Sequence, residues 1–401
     1  MYKILIIGSL FLFASATSEL SLSLNFDTTN SSLVLPVNAT EHEILQSKVD
    51  FVSKKLDSAY YYVQLLVGSK SEAVNFKLDF TSFHLWMLQN SYNTSSSKTF
   101  KAEINESEIN YYGGRYIKGL KAKDEFKYLN NSLKKNNFII ASSYRTFDLG
   151  SANGIMGFGI SSKDNISDSG FKLVKKKRFF ELGDLYGTLK SKLYIEDNND
   201  YKSSEKLLKI KDISLDRDIW EFPVQRVLVD NVRLHHPVYS GYVDIGVSRI
   251  LLPGNMLEQI MHHVLDGNSD NAVIGTQYFK ECADADYLSS FPDVYFRIED
   301  KLLVVKPEHY IYYEDGLCYF LFKKSPNDFI VLGQPFMRQY ALYFTSITNK
   351  PKIEIYLRHD LNDGTSMTVV AGLGLAIIAF AAGAYRKRAS DEETKRYALL
   401  G

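Results

Sequence analysis

Two aspartates stand in the same local setting far apart in this chain, and that repetition restricts the fold more than any other feature. Asp79 closes the stretch Phe76-Lys77-Leu78 and opens Asp79-Phe80-Thr81-Ser82. Asp244 follows Tyr242-Val243 and opens Asp244-Ile245-Gly246-Val247-Ser248. Each is followed later by an apolar segment punctuated by glycine. The first is Gly154-Ile155-Met156-Gly157-Phe158-Gly159 and the second is Ile330-Val331-Leu332-Gly333-Gln334. A strand, a polar turn and an apolar-glycine segment repeated at long period mark two related halves. A chain of 401 residues can hold two such domains, or one large all-β unit.

The rest of the chain agrees with an all-β body. Strand-like runs occupy 60–67, 76–79, 138–141, 192–195, 220–229, 294–298, 302–305, 311–313, 319–322, 341–344 and 352–356, with Gly68-Ser69 as the first turn. The best helix in the second half is 256–264. The 27 tyrosines and 25 phenylalanines favour strands. Ahead of this body, 32–37 reads as a short strand. Ile44, Leu45, Val49, Val52 and Leu56 recur at helical spacing within 41–56. Residues 17–57 are either a prosegment or an N-terminal elaboration, ahead of an N-terminal lobe at 58–190 and a C-terminal lobe at 191–360.

Both ends read as targeting segments. Lys3, the apolar run 4–13 and Ala14-Ser15-Ala16 form a signal peptide over residues 1–16. The uncharged segment 367–385 is long enough to cross a hydrocarbon core of about 30 Å at about 1.5 Å per residue. Arg386-Lys387-Arg388 then opens a cytoplasmic tail, 386–401, by the positive-inside rule. The expectation is a single-pass type I membrane protein with its main part luminal or extracellular, in an endomembrane compartment (vacuole, lysosome or Golgi) or at the cell surface. Tyr397-Ala398-Leu399-Leu400 matches a short sorting pattern in that tail. Asn30, Asn38, Asn93, Asn105, Asn130 and Asn165 each begin a glycosylation sequon. The two cysteines, Cys282 and Cys318, form either a disulfide, as an oxidising lumen favours, or a free buried pair. The 47 basic residues balance the 47 acidic ones, so nothing points to a nucleic-acid partner.

Several segments, in order, resemble the pepsin-like aspartic proteases over roughly residues 59–357. Tyr61-Tyr62-Val63-Gln64-Leu65-Leu66-Val67-Gly68 is similar to that family's first strand. Asp79-Phe80-Thr81-Ser82-Phe83-His84-Leu85-Trp86 is similar to its Asp-Thr-Gly-Ser-Ser-Asn-Leu-Trp motif. Tyr112-Gly113-Gly114 resembles the tip of the flap, with Gly119 and Asp124 at the family's spacing after it. Residues 243–253 resemble the second active-site motif. Val331-Leu332-Gly333-Gln334-Pro335-Phe336-Met337-Arg338-Gln339-Tyr340 resembles the late Leu-Gly-x-x-Phe-x-Arg-x-Tyr motif. The resemblance implies a bilobal all-β fold with Asp79 and Asp244 facing each other as a dyad. It also implies that Ser82 and Ser248 support them, that Tyr112 closes over the cleft, and that Cys282 and Cys318 are bonded. Two carboxylates about 3 Å apart split their pKa values, so one activates a water and the other protonates the scissile carbonyl. The implied activity is an aspartic endopeptidase with an acidic optimum, a monomer acting on peptide or protein substrates without metal or cofactor.

The motifs also depart from the family. The hydroxyl residues that cross-link the two active-site loops are replaced by Phe80 and Ile245, the first motif's glycine by Thr81, and a supporting hydroxyl by Val247. An active protease and a catalytically inactive peptide-binding or scaffold protein on the same fold therefore both stay open. A membrane-anchored β-sandwich adhesion protein is a third reading. Trp86 and Trp220 are expected to pack in the core. Adjacent His262 and His263 diverge by about 100° on a helix and are not expected to share a metal.

Overall fold

The computed structural model describes residues 21–27, 41–128, 131–160, 178–183, 191–194, 206–217, 219–235, 237–267, 273–282, 285–345 and 350–358. The signal segment, the span 367–385, the tail, the strand expected at 32–37 and the sequons at Asn30, Asn38, Asn130 and Asn165 lie outside these residues. Among the described residues, no helix is long and apolar enough to cross a membrane. The chain divides into a body of residues 1–356 and a C-terminal unit of 357–401. Everything below concerns the body.

The repeat seen in the sequence is a repeat of strand pairing. In the first half, the strand Glu72–Asp79 runs parallel to Gly154–Gly157. Gly154–Gly157 pairs antiparallel with Leu85–Leu88, which runs parallel to Asn131–Arg145. In the second half, Tyr239–Val243 runs parallel to Ile330–Leu332. That strand pairs antiparallel with Ile250–Leu252, which runs parallel to Phe322–Lys324. Parallel neighbours need long crossovers, which is why paired segments are so distant in sequence. Gly154–Gly157 and Ile330–Leu332 are buried at every position, so they read as continuous apolar runs rather than alternating ones.

The glycines of the two runs do the same job. A Cβ on Gly157 would lie 2.5 Å from the Ser82 carbonyl and 2.7 Å from that of His84. A Cβ on Gly333 would lie 2.4 Å from the Val247 carbonyl and 2.1 Å from that of Arg249. In both halves the glycine lets one strand pass directly under the turn that follows the aspartate.

A 13-stranded sheet carries the first half and also takes in the C-terminal strands Tyr340–Thr345 and Lys352–Leu357. An eight-stranded and a four-stranded sheet complete the second half. One apolar core runs through both halves, from Val63, Phe76 and Phe80 to Ile245, Phe296 and Phe344. Trp86 and Trp220 are buried packing residues, as expected. Cys282 and Cys318 are bonded, with an S–S distance of 2.00 Å.

The helix expected at 41–56 is present as Glu41–Asp57. Its Val49, Val52 and Leu56 pack on Phe279, Leu317, Tyr319 and Leu321 of the second half. Arg249, only 2% exposed, fixes the end of the helix through Asp57 Oδ1 at 2.6 Å, and its Nη1 donates to Gln277 Oε1 at 2.5 Å. Lys323 also pairs with Asp57, at 2.7 Å, and Lys55 with Glu314, at 3.0 Å. A strand Ser21–Asp27 joins the large sheet between Tyr60–Val67 and Ser191–Tyr194.

Two differences from the expected elements have physical causes. The run expected at 319–322 breaks at Leu321, where the chain leaves one sheet for another: Leu317–Phe320 pairs in the four-stranded sheet and Phe322–Lys324 in the eight-stranded one. The long hairpin of Lys101–Tyr111 and Arg115–Tyr128 was invisible to periodicity because its first arm is almost wholly exposed. A ribbon without a buried face needs no apolar alternation.

Candidate active site

Asp79 ends the strand Glu72–Asp79 and Asp244 directly follows the strand Tyr239–Val243, and each begins the turn that the glycines make room for. Both are 5% exposed. Asp79 Oδ1 accepts from the Thr81 amide at 2.9 Å and from Thr81 Oγ1 at 2.6 Å. Asp244 Oδ1 accepts from the Gly246 amide at 2.9 Å and from the Phe80 amide at 3.3 Å. The Phe80 bond matters most for the geometry. The residue directly after Asp79 donates across the seam to Asp244, so the two turns meet at the carboxylates.

This juxtaposition separates the two acids. Burial opposes ionisation of Asp79. The Arg115 charge, then the nearby Ser82 hydroxyl and the Thr81 donors, outweigh it and hold Asp79 below its ordinary value. Burial and then the Asp79 charge push Asp244 up to about 7, against the Gly246 and Phe80 amides. The two acids titrate as a pair, with Asp79 the more easily ionised member and Asp244 the more easily protonated one.

The segment expected as the flap is the tip of a hairpin. Tyr112–Gly114 forms the turn joining Lys101–Tyr111 to Arg115–Tyr128, with Gly113 at φ 78° and Gly114 at φ 73°. From beside this turn, Tyr111 shares a hydrogen bond with His84 Nδ1 at 2.9 Å. Arg115 reaches Asp79 itself. Its Nη1 lies 3.2 Å from Asp79 Oδ2, its Nη2 donates to the Thr81 carbonyl at 2.7 Å, and its guanidinium carbon sits 4.9 Å over the Phe147 ring.

Three of the departures from the family pattern, Phe80, Ile245 and Thr81, have a structural answer. Phe80 is fully buried, edge-on to Phe180 at 4.8 Å and to Phe344 at 4.9 Å. Trp220 packs 4.8 Å from Phe344 and donates from Nε1 to the Phe158 carbonyl at 2.7 Å. Ile245 is fully buried as well. An aromatic floor thus takes the place of hydroxyl cross-links and orphans no polar group at these two positions. Thr81 is not left-handed, so a β-branched residue fits, and its hydroxyl binds Asp79 directly. Ser82, expected to hold the outer oxygen of Asp79, is fully buried, but its hydroxyl makes no hydrogen bond of regular geometry among the described residues. Thr81 and Arg115 occupy the two oxygens instead. Ser248 is buried within the second turn. Asp124, placed by its spacing after Tyr112, is fully buried and accepts from Tyr92 Oη at 3.0 Å and Ser97 Oγ at 3.2 Å, supporting the base of the hairpin.

A family model of the eukaryotic aspartyl proteases matches residues 60–355. The chain belongs to that family. It is 23% identical over 324 residues to rhizopuspepsin from Rhizopus chinensis, covering 74% of this chain and 77% of that protein. It is 25% identical over 333 residues to vacuolar protease A from Aspergillus fumigatus, covering 74% of this chain and 79% of that one. Membership bears out the resemblance carried by the ordered motifs and removes the adhesion-protein reading. Within this aspartyl protease fold, the contributions that motif reading missed are those of Thr81, His84, Tyr111 and Arg115. Thr81 stood in the sequence as a departure. Its hydroxyl, two residues from the carboxylate, was the available signal. Arg115 had no such signal, because only the bend of the hairpin brings it to Asp79.

Proposed function

We propose that this protein is an aspartic endopeptidase in which Asp79 is the general base and Asp244 the general acid. The observation that supports it most is the opposite displacement of the two facing acids, Asp79 down and Asp244 up to about 7. In this reading Asp79 takes a proton from water as the water oxygen bonds the scissile carbon. Asp244 gives its proton to the carbonyl oxygen, forming a neutral tetrahedral diol. The proton held by Asp79 then passes to the amide nitrogen, the C–N bond breaks, and a hydroxyl proton returns to Asp244. The peptide lies extended in the cleft beneath the hairpin. No metal or organic group is needed for these steps.

The bonded pair Cys282–Cys318 and the exposed sequon residues Asn93 and Asn105 support an oxidising, luminal or extracellular setting. The apolar segment 367–385 and the basic residues after it support a type I anchor. A second reading, peptide binding without turnover, is favoured by the Arg115 guanidinium resting on Asp79 Oδ2. The deciding experiment incubates the full-length protein and its Asp244→Ala variant with a mixed peptide library between about pH 3 and about pH 8. Cleavage that requires Asp244 supports the enzyme; binding of a transition-state mimic with no Asp244-dependent cleavage supports the second reading.

A further inference from the structure

We propose that Arg115 caps Asp79 in the ligand-free protein and is the residue through which the cleft selects peptides carrying a carboxylate side chain next to the scissile bond. The proposal rests on the cleft being a peptide site built around Asp79 and Asp244.

The position of the guanidinium carries the first half. Asp79 Oδ1 is already engaged by Thr81 through two hydrogen bonds, so Oδ2 is the oxygen left to meet a water or a substrate. Arg115 Nη1 lies on that oxygen at 3.2 Å. The Nη2 bond to the Thr81 carbonyl and the stacking on Phe147 hold the fork in a slot, with the side chain 17% exposed. A water polarised by Asp79 Oδ2 and a guanidinium so placed compete for the same space. The arginine must withdraw before the carboxylate can work.

The hairpin is built to allow withdrawal. Arg115 directly follows Gly113 and Gly114, both left-handed, and a Cβ on either would meet nothing within 4 Å. The adjoining arm Lys101–Tyr111 is mostly exposed, with few buried contacts to hold it. Lifting the tip breaks the Tyr111–His84 hydrogen bond and the contacts of Ile109 and Tyr111 with the cluster around Phe147, which are the contacts that hold it down.

Charge carries the second half. Lifting Arg115 separates a largely buried ion pair and leaves a cation with a bidentate fork beside the cleft. Lys77, a second cation whose charge reaches the dyad, is held by the Asp148 carbonyl at 2.8 Å and the Tyr60 ring at 4.8 Å. Asp244, the other acid at the seam, keeps its proton and offers Arg115 no substitute for Asp79. A substrate carboxylate close to the scissile bond supplies one. It takes the fork from Asp79 and frees Oδ2 in the same movement, whereas a neutral peptide must displace the arginine without replacing its partner.

The test is calorimetric binding of two statine hexapeptides that differ only in carrying Glu or Gln beside the statine. The full-length protein is used as wild type, Arg115→Gln and Arg115→Lys, with thermal melting as a check on folding. Wild type is expected to bind the Glu peptide about 10-fold more tightly. Arg115→Gln is expected to bind the Gln peptide about 10-fold more tightly than wild type does, and to lose the preference. Arg115→Lys should retain part of it. A folded Arg115→Gln that keeps the Glu preference, or that binds the Gln peptide no better than wild type, overturns the proposal and leaves the peptide cleft standing. Failure of every protein to bind either peptide overturns the cleft reading, and this proposal with it.

Discussion

The two active-site turns share a scaffold and differ in what they attach to it. In each, a glycine strand passes beneath the third and fifth residues after the aspartate: Ser82 and His84 in the first, Val247 and Arg249 in the second. The fifth residue then anchors a different accessory element. His84 holds the hairpin through Tyr111, and Arg249 holds the N-terminal helix through Asp57. The carboxylates differ as well. Each accepts from the amide two residues on, but Asp79 adds a hydroxyl and a guanidinium, whereas Asp244 adds only the Phe80 amide among the described residues. The backbone repeat thus places the two acids alike, and the surrounding side chains make them unlike. A dyad that shares one proton needs both.

The sharpest way to break that comparison is to remove the acid whose proton is kept. Asp244→Asn should lower kcat by about 10,000-fold, measured on any peptide the wild type cleaves. The same change should raise the melting temperature above pH 7. Asp244 has its folded-state pKa raised from 3.8 to about 7. Its contribution to stability is therefore complete below the lower value and is lost as pH rises through the upper one. Asparagine mimics the protonated form and removes the loss.

Next in size is the floor. Phe80→Thr restores the family's hydroxyl but leaves a cavity among Phe180, Phe344 and Phe158, and should cost about 3 kcal/mol by denaturant unfolding. An unchanged unfolding midpoint would show that the aromatic floor does not support the first turn. Asp57→Ala removes the helix anchor and leaves Arg249 buried without that partner. It should cost about 2 kcal/mol, less than a fully buried pair because Asp57 is itself 38% exposed. A cost this large would mean that cutting the helix away weakens the second half, which bears on whether 41–57 is a removable prosegment or a lasting part of the fold. The smallest effect is Thr81→Val. It removes one donor to Asp79 and should lower kcat/KM by about 10-fold, with the acid limb of the pH profile moving upward as Asp79 becomes easier to protonate.

Much of this was legible because the repeat is local chemistry. Asp79 and Asp244 were found from the residues beside them, and the core strands from runs that burial on both faces makes apolar. The helix Glu41–Asp57 showed its face through Val49, Val52 and Leu56. What sequence could not supply was pairing across distance. Nothing local in Arg115 says that it meets Asp79, or in Arg249 that it meets Asp57. The exposed hairpin hid for the opposite reason, since solvent on its outer arm imposes no pattern. Phe80 and Ile245 read as losses because only the folded chain brings Phe180 and Phe344, from distant strands, under the first turn.

The claim at the centre is that Asp79 is ionised while Asp244 holds the proton. It is tested most directly by the pH dependence of kcat/KM of the full-length protein on one cleavable peptide, with Asp244→Asn alongside. The expected profile holds through the mildly acidic range, falls as pH passes about 7, and is absent from the variant. A rate that already falls near pH 4, at the ordinary carboxylate value, or that survives in Asp244→Asn, would contradict it.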